Sequence, residues 1–142
     1  MKLYGVSTIF DYTDINYLGF SDIIFNFFSL KIKLNKLIKK IKLINPDIVI
    51  TVDAKLFSLS LAKGLKKNIS ENIKLIHIVL PTIWAHTPSR AYKWKNVFDL
   101  LVSIIPNENN YFKNYNVKTV YLGNPILENF LNKVTFFKNK KI

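Results

Sequence analysis

The sequence predicts an α/β fold, a parallel sheet with flanking helices, on three observations. Apolar β-branched runs alternate with amphipathic segments from residue 31 onward, the spacing of βαβ units. The run Ile48-Val49-Ile50-Thr51-Val52 shows no alternation of polarity, the pattern of a strand buried on both faces. It closes on Asp53-Ala54, at the carboxyl end where open sheets of Rossmann-like type hold their ligands.

Taken in order, Leu3 to Val6 can form a short strand, and Asp11 to Gly19 reads as a polar connection with Asp14 as a helix cap. Lys31 to Ile44 is predicted as a basic amphipathic helix. Leu30, Leu34, Leu37, Ile38 and Ile41 share one face, with Lys33, Lys36, Lys39 and Lys40 elsewhere, and Asn45-Pro46 ends it. After the strand that ends at Asp53, a helix is expected over Leu56 to Lys67 and a strand over Lys74 to Leu80, stopped by Pro81. Pro81 to Pro88 is a loop, and Ser89 caps a short helix to Asn96. A strand over Phe98 to Ile105, a helix over Asn107 to Tyr115 and a strand over Lys118 to Leu122 follow. Gly123-Asn124-Pro125 turns into a last helix from Ile126. Residues 1–133 form the domain, and 134–142 are a basic tail.

At 142 residues the chain is long enough for one core, and 49% hydrophobic with 14% aromatic content excludes disorder. Asn26 and Lys31 interrupt the greasiest segment well short of the roughly 18 apolar residues of a membrane span. No secretory leader is expected, because Asp11 arrives before an apolar stretch of useful length; the expectation is a cytoplasmic protein. The absence of cysteine removes disulfides, thiolate catalysis and cysteine-held zinc. The net charge is +12, and Arg90 is the one arginine among 21 basic residues. Lysine-rich usage of this kind is what a low-GC genome imposes. A surface so positive still attracts anionic lipid or nucleic acid.

The candidate residues each admit a plain reading beside a chemical one. Asp53 either acts as a base or caps the helix after it. His77, between Ile76 and Ile78, reads as a hydrogen-bonded core histidine before a catalytic one, and His86 lies in the more accessible loop. Neither has a carboxylate three or four residues on, so no metal site is expected. Arg90 suits a phosphate, since its planar fork grips two oxygens, or is simply exposed. Trp84 packs the loop or forms a sugar platform. Ile23, Ile24, Phe27 and Phe28, beside the lysine-rich helix, are core or a patch that enters a bilayer. The interleaved Tyr92-Lys93-Trp94-Lys95 could stack on single-stranded nucleic acid, but no nucleic-acid module accompanies it.

From Asn45 onward the sequence resembles the lipid-A-disaccharide synthases, inverting glycosyltransferases of two-domain GT-B architecture. The likeness rests on Asn45-Pro46-Asp47 with the strand into Asp53-Ala54, Ile76-His77 and Pro81-Thr82-Ile83-Trp84-Ala85. It continues through Arg90, Asp99-Leu100 leading to Pro106 and Glu108, and Tyr115-Asn116-Val117 leading to Gly123, with Leu18-Gly19-Phe20 earlier. The family's Asp-Ala-Pro-Asp-Phe stands here as Asp53-Ala54-Lys55-Leu56-Phe57, its Trp-Ala-Trp as Trp84-Ala85-His86 and its Gly-His-Pro as Gly123-Asn124-Pro125. The family's first glycine-rich loop and nucleotide-binding domain have no counterpart, so the resemblance implies an incomplete N-terminal acceptor domain.

What the resemblance implies is transfer of diacylglucosamine from its UDP derivative to a monosaccharide lipid in lipid A biosynthesis, with Asp53 as base and no cofactor. Arg90, Trp84 and His86 would contact substrate, and the region from Ile23 to Ile41 would face acyl chains and an anionic membrane at the inner face of the inner membrane. The alternative is a chain with no catalysis of its own: a gene remnant, or the acceptor half of a split enzyme that needs a separate nucleotide-binding polypeptide. In the usual doubly wound order, loss of the first strand leaves an unpaired strand edge in the sheet. A basic nucleic-acid-binding domain is the third reading.

Overall fold

The computed structural model describes residues 27–68, 73–81 and 88–128. The Leu3 to Val6 strand, the Asp14 cap, Ile23, Ile24, Trp84, His86 and the boundary at 133 lie outside these. The chain divides into two compact units, Met1–Asn45 and Pro46–Ile142.

The first unit contains helix α1 (Phe27–Ile44). It starts four residues earlier than its lysines suggest, because Leu30 continues the apolar stripe one turn back and no helix breaker separates Phe27 from Lys31. Ile38 and Ile41 are buried, and of the four lysines expected off this face Lys36, Lys39 and Lys40 are exposed while Lys33 is half-buried. Asn45 ends the helix with a positive φ of 47°, its N–H still bonded to the Ile41 carbonyl at 2.9 Å.

The second unit is a four-stranded sheet in the order β1-β2-β3-β4, parallel throughout. The strands are β1 (Ile48–Val52), β2 (Lys74–Ile78), β3 (Leu100–Ser103) and β4 (Thr119–Tyr121). Between them run α2 (Lys55–Asn68), a 3-10 helix (Pro88–Trp94) and α3 (Asn110–Lys113). In α2, Ser58, Leu61, Ala62 and Leu65 are buried at helical spacing. The fold is the Rossmann-like α/β arrangement the sequence predicts.

The register sorts the strand residues into two faces. Leu75, His77, Leu101 and Ser103 share one face and are all buried. Ile48, Ile50, Val52, Ile76, Ile78 and Leu100 share the other, and there β1 is open, with Ile48, Ile50 and Val52 more than half exposed. This corrects the expectation of a fully buried strand. Among the described residues β1 is the edge of the sheet, and its unbroken apolar run reports two apolar faces without reporting that both are covered.

Several elements are shorter than expected, and three of them show a local reason. Asp99 holds the entry to β3, its carboxylate accepting the Leu75 N–H at 2.8 Å and its own N–H bonding the Leu75 carbonyl, so the strand starts at Leu100. Segment 107–116 is mostly turns closed over three residues, because Asn107 and Asn116 take positive φ of 64° and 54° and confine the α-helix to Asn110–Lys113. The expected helix after Ser89 is the tighter 3-10 form, ended by Asn96 at φ 60°.

Candidate active site at the carboxyl edge of the sheet

The carboxyl ends of β1 and β2 are built from strained backbone. Asp53 and Ala54 are consecutive residues at φ 51° and 44°, and Val79, directly after β2, is at 74°. A positive φ is costly for any residue with a Cβ and most of all for a β-branched one, on the order of 1–3 kcal/mol at each position. The surrounding bonds hold it in place. Asp53 N–H donates to the Ile78 carbonyl at 3.0 Å, Val79 N–H to Val102 at 3.0 Å, and the Ser58 hydroxyl to the Asp53 carbonyl at 2.8 Å.

This local conformation turns the chain out of the sheet and leaves the Asp53 side chain exposed. Ser58 N–H continues the helical pattern from Ala54 at 2.9 Å, and no hydrogen bond joins the Asp53 carboxylate to the first turn of α2 among the described residues. The capping alternative therefore has no hydrogen bond behind it. The carboxylate stands at the mouth of the sheet with its oxygens open to a ligand.

Behind it lies His77, fully buried. Its ring packs against Trp94 and Phe98, with centroids at 4.9 and 5.2 Å, and those two rings stack on each other at 5.3 Å. Nδ1 shares a 2.8 Å hydrogen bond with the Thr51 hydroxyl, while Nε2 is buried and has no hydrogen-bond partner among the described residues. Burial lowers the His77 pKa from 6.5 to about 4, opposed in part by the Val79 backbone and by the negative charge of Asp53. The imidazole is thus neutral at pH 7. His77 is thus a core histidine, hydrogen-bonded at one nitrogen among the described residues.

Two further polar residues close the end of β3. The Ser103 hydroxyl sits 2.7 Å from the Ile105 carbonyl and 3.1 Å from Glu108 Oε2, and it accepts the Ile105 N–H at 3.2 Å. Both side chains are buried. Thr51 and Ser103 escape sequence reasoning because a hydroxyl in an apolar strand carries no signal of its own. Their partners, His77 and Glu108, do carry one.

The structure brings Asp53, Thr51 and His77 together and places the backbone of Arg90 in the 3-10 helix that supplies Trp94. Phe27 and Phe28 fall in the first turn of α1. Trp94 is 4% exposed, so the Tyr92-Lys93-Trp94-Lys95 segment is not the open aromatic platform that base stacking needs; only Tyr92 projects, with the Lys95 ammonium 6.0 Å from its ring centre. No cluster of three metal-ligating side chains occurs among the described residues. No helix among them is long and apolar enough to cross a membrane.

A family model described as lipid-A-disaccharide synthetase matches residues 1–141. The chain belongs to the lipid-A-disaccharide synthetase family. Among curated relatives it is similar to the lipid-A-disaccharide synthase of Rickettsia felis, 34% identical over 137 residues, covering 95% of this chain and 35% of the relative. The Rickettsia akari protein of the same name is 36% identical over 121 residues, covering 85% and 31%. The Rickettsia typhi protein is 34% identical over 137 residues, covering 95% and 36%. The chain therefore spans about a third of the length of these synthases. Where the resemblance gives Gly-His-Pro, this member of the family has Asn124, whose Oδ1 accepts the N–H groups of Ile126 and Leu127 at 3.1 and 3.3 Å and caps the helical turn 125–128. Gly123 before it sits at φ 99°, a conformation suited to glycine alone.

Proposed function

We propose that this chain is the acceptor-side piece of a lipid A glycosyltransferase, with Asp53 as the base. A sugar hydroxyl is a weak nucleophile at neutral pH. Asp53 would take its proton as the oxygen bonds to the anomeric carbon of UDP-diacylglucosamine and the bond to the UDP oxygen breaks, UDP leaving as the anion. The observation that carries this is an exposed carboxylate, bare of hydrogen bonds among the described residues, on strained backbone at the carboxyl end of a parallel strand. Neutral His77 behind it adds no competing positive charge at pH 7.

The acceptor would be a monosaccharide lipid. Arg90, Trp84 and His86 are the proposed contacts, Arg90 for a phosphate. Exposed Lys36, Lys39 and Lys40 on α1, with Phe27 and Phe28 at its start and Ile23 and Ile24 before it, suit an anionic bilayer surface on the cytoplasmic side. The donor would be held by a nucleotide-binding part, in the same or a separate polypeptide. The reading without catalysis draws support from the open β1 edge, and buried Trp94 disfavours nucleic acid.

The test is a chimera in which this chain replaces the matched 137-residue stretch of the Rickettsia felis synthase. Asp53→Asn should lower transfer by about 100-fold or more, the usual contribution of a positioned base, with an unchanged melting midpoint. A chimera that transfers equally well with asparagine removes Asp53 from the chemistry.

A further inference from the structure

The Asp53 carboxylate has no hydrogen bond among the described residues, so its direction comes from the backbone that carries it. That backbone is costly. Asp53 and Ala54 are consecutive left-handed residues, at φ 51° and 44°, and each carries a Cβ that disfavours the conformation. Such a pair persists only where the peptide groups around it are tied. The peptide before Asp53 is tied to the sheet, its N–H donating to the Ile78 carbonyl at 3.0 Å. The peptide after it is tied by a side chain, the Ser58 hydroxyl, which donates to the Asp53 carbonyl at 2.8 Å. With both flanking peptides fixed, the Cα–Cβ bond of Asp53 has one direction left.

Ser58 differs from an ordinary helix serine. It lies 2% exposed in the buried stripe of α2 with Leu61, Ala62 and Leu65, and it is the one polar member. Apolar packing alone would be met by alanine, as at Ala62. A helical serine commonly bonds the carbonyl four residues back in its own helix. Ser60 does so on the exposed side of α2, 2.8 Å from the Leu56 carbonyl. At Ser58 the backbone N–H already occupies the Ala54 carbonyl at 2.9 Å, and the hydroxyl reaches one residue further back, out of the helix, to Asp53.

We propose that Ser58 is a positioning residue for transfer: its hydroxyl locks the Asp53–Ala54 peptide and thereby aims the carboxylate. This rests on Asp53 as the base. Ser58 is buried and acts through Asp53 alone. A base works only within hydrogen-bond reach of the hydroxyl it deprotonates, and a misplacement on the order of 1 Å costs up to about 100-fold in rate. Without the Ser58 hydroxyl the peptide turns toward a cheaper conformation, and the carboxylate turns with it.

The probe is the chimera with the Rickettsia felis synthase, which contains the full chain. Ser58→Ala should lower kcat about tenfold and leave KM for donor and acceptor within about twofold, the split expected when only transition-state alignment is lost. Ser60→Ala should change neither. Ala54→Gly makes the left-handed conformation cheap, so it should restore most of the kcat lost to Ser58→Ala. In an Asp53→Asn background Ser58→Ala should change kcat by less than about twofold, because the group it aims is gone. Ser58→Cys fills the same space with a much weaker donor and carries the same expectations where alanine does not fold. Full kcat in Ser58→Ala, no recovery with glycine, or an equal loss in the Asp53→Asn background would each overturn the proposal. An Asp53→Asn chimera that keeps its full rate removes the base itself, whereas a full-rate Ser58→Ala beside a slow Asp53→Asn removes only the positioning role.

Discussion

The buried imidazole of His77 makes a quantitative prediction about acid stability. Its folded pKa is about 4 against 6.5 for an exposed histidine, so the unfolded chain takes up a proton between those values and the folded chain does not. A group whose folded pKa is depressed leaves stability intact above the unfolded pKa and removes it as pH falls toward the folded pKa. Each pH unit between the two values is worth about 1.36 kcal/mol, so the loss from this one residue is about 2 kcal/mol at about pH 5 and about 3 kcal/mol at about pH 4. That is a large fraction of the roughly 5–15 kcal/mol of an ordinary domain. Urea denaturation of the full chain between about pH 7.5 and 4.5 measures the loss, with His77→Gln as the reference. Glutamine keeps an acceptor for Thr51 and cannot titrate, so the difference between the two slopes isolates the imidazole from the carboxylates, Asp53 included. The chain has histidines only at 77 and 86, and ring-proton NMR should show one of the two signals still titrating near 4. Parallel stability curves for the two proteins, or two histidine signals both near 6.5, would refute the buried neutral imidazole.

Three further substitutions test the packing and the surface. Thr51→Val keeps the shape and removes the hydroxyl that meets Nδ1 of His77 at 2.8 Å. The buried nitrogen left unpaired should cost about 1–3 kcal/mol in urea denaturation, and a neutral result would mean the bond contributes nothing. Phe112 is fully buried, and its backbone bonds Asn109, Tyr115 and Val117, so Phe112→Ala should cost about 3–5 kcal/mol on the same assay and lower the urea midpoint accordingly. Phe27→Glu should weaken sedimentation with phosphatidylglycerol vesicles by about tenfold without lowering the melting midpoint, the effect of losing one inserted aromatic side chain. A variant that unfolds would instead place Phe27 in a core.

The sequence by itself determined the order of the described elements, because alternating β-branched runs and helical stripes are local patterns that each segment carries whatever surrounds it. Asp53 was legible as a candidate for the same reason, as a lone carboxylate ending an apolar run. Tertiary structure decided what those patterns are used for. Ile48, Ile50 and Val52 read as buried and are open, since an apolar strand does not encode whether a neighbour covers it. The Tyr92-Lys93-Trp94-Lys95 segment left base stacking open as a minor reading, and Trp94 is sealed against His77 and Phe98, since the 3-10 helix, and not its composition, sets which way the ring faces. The partnership of Thr51 with His77 is set by strand register, which joins residues 26 positions apart and leaves no trace in either segment alone. The positive φ at Asp53, Ala54 and Val79 is likewise held by the sheet, whose hydrogen bonds at the strand ends offset a conformation that costs energy at a residue with a Cβ.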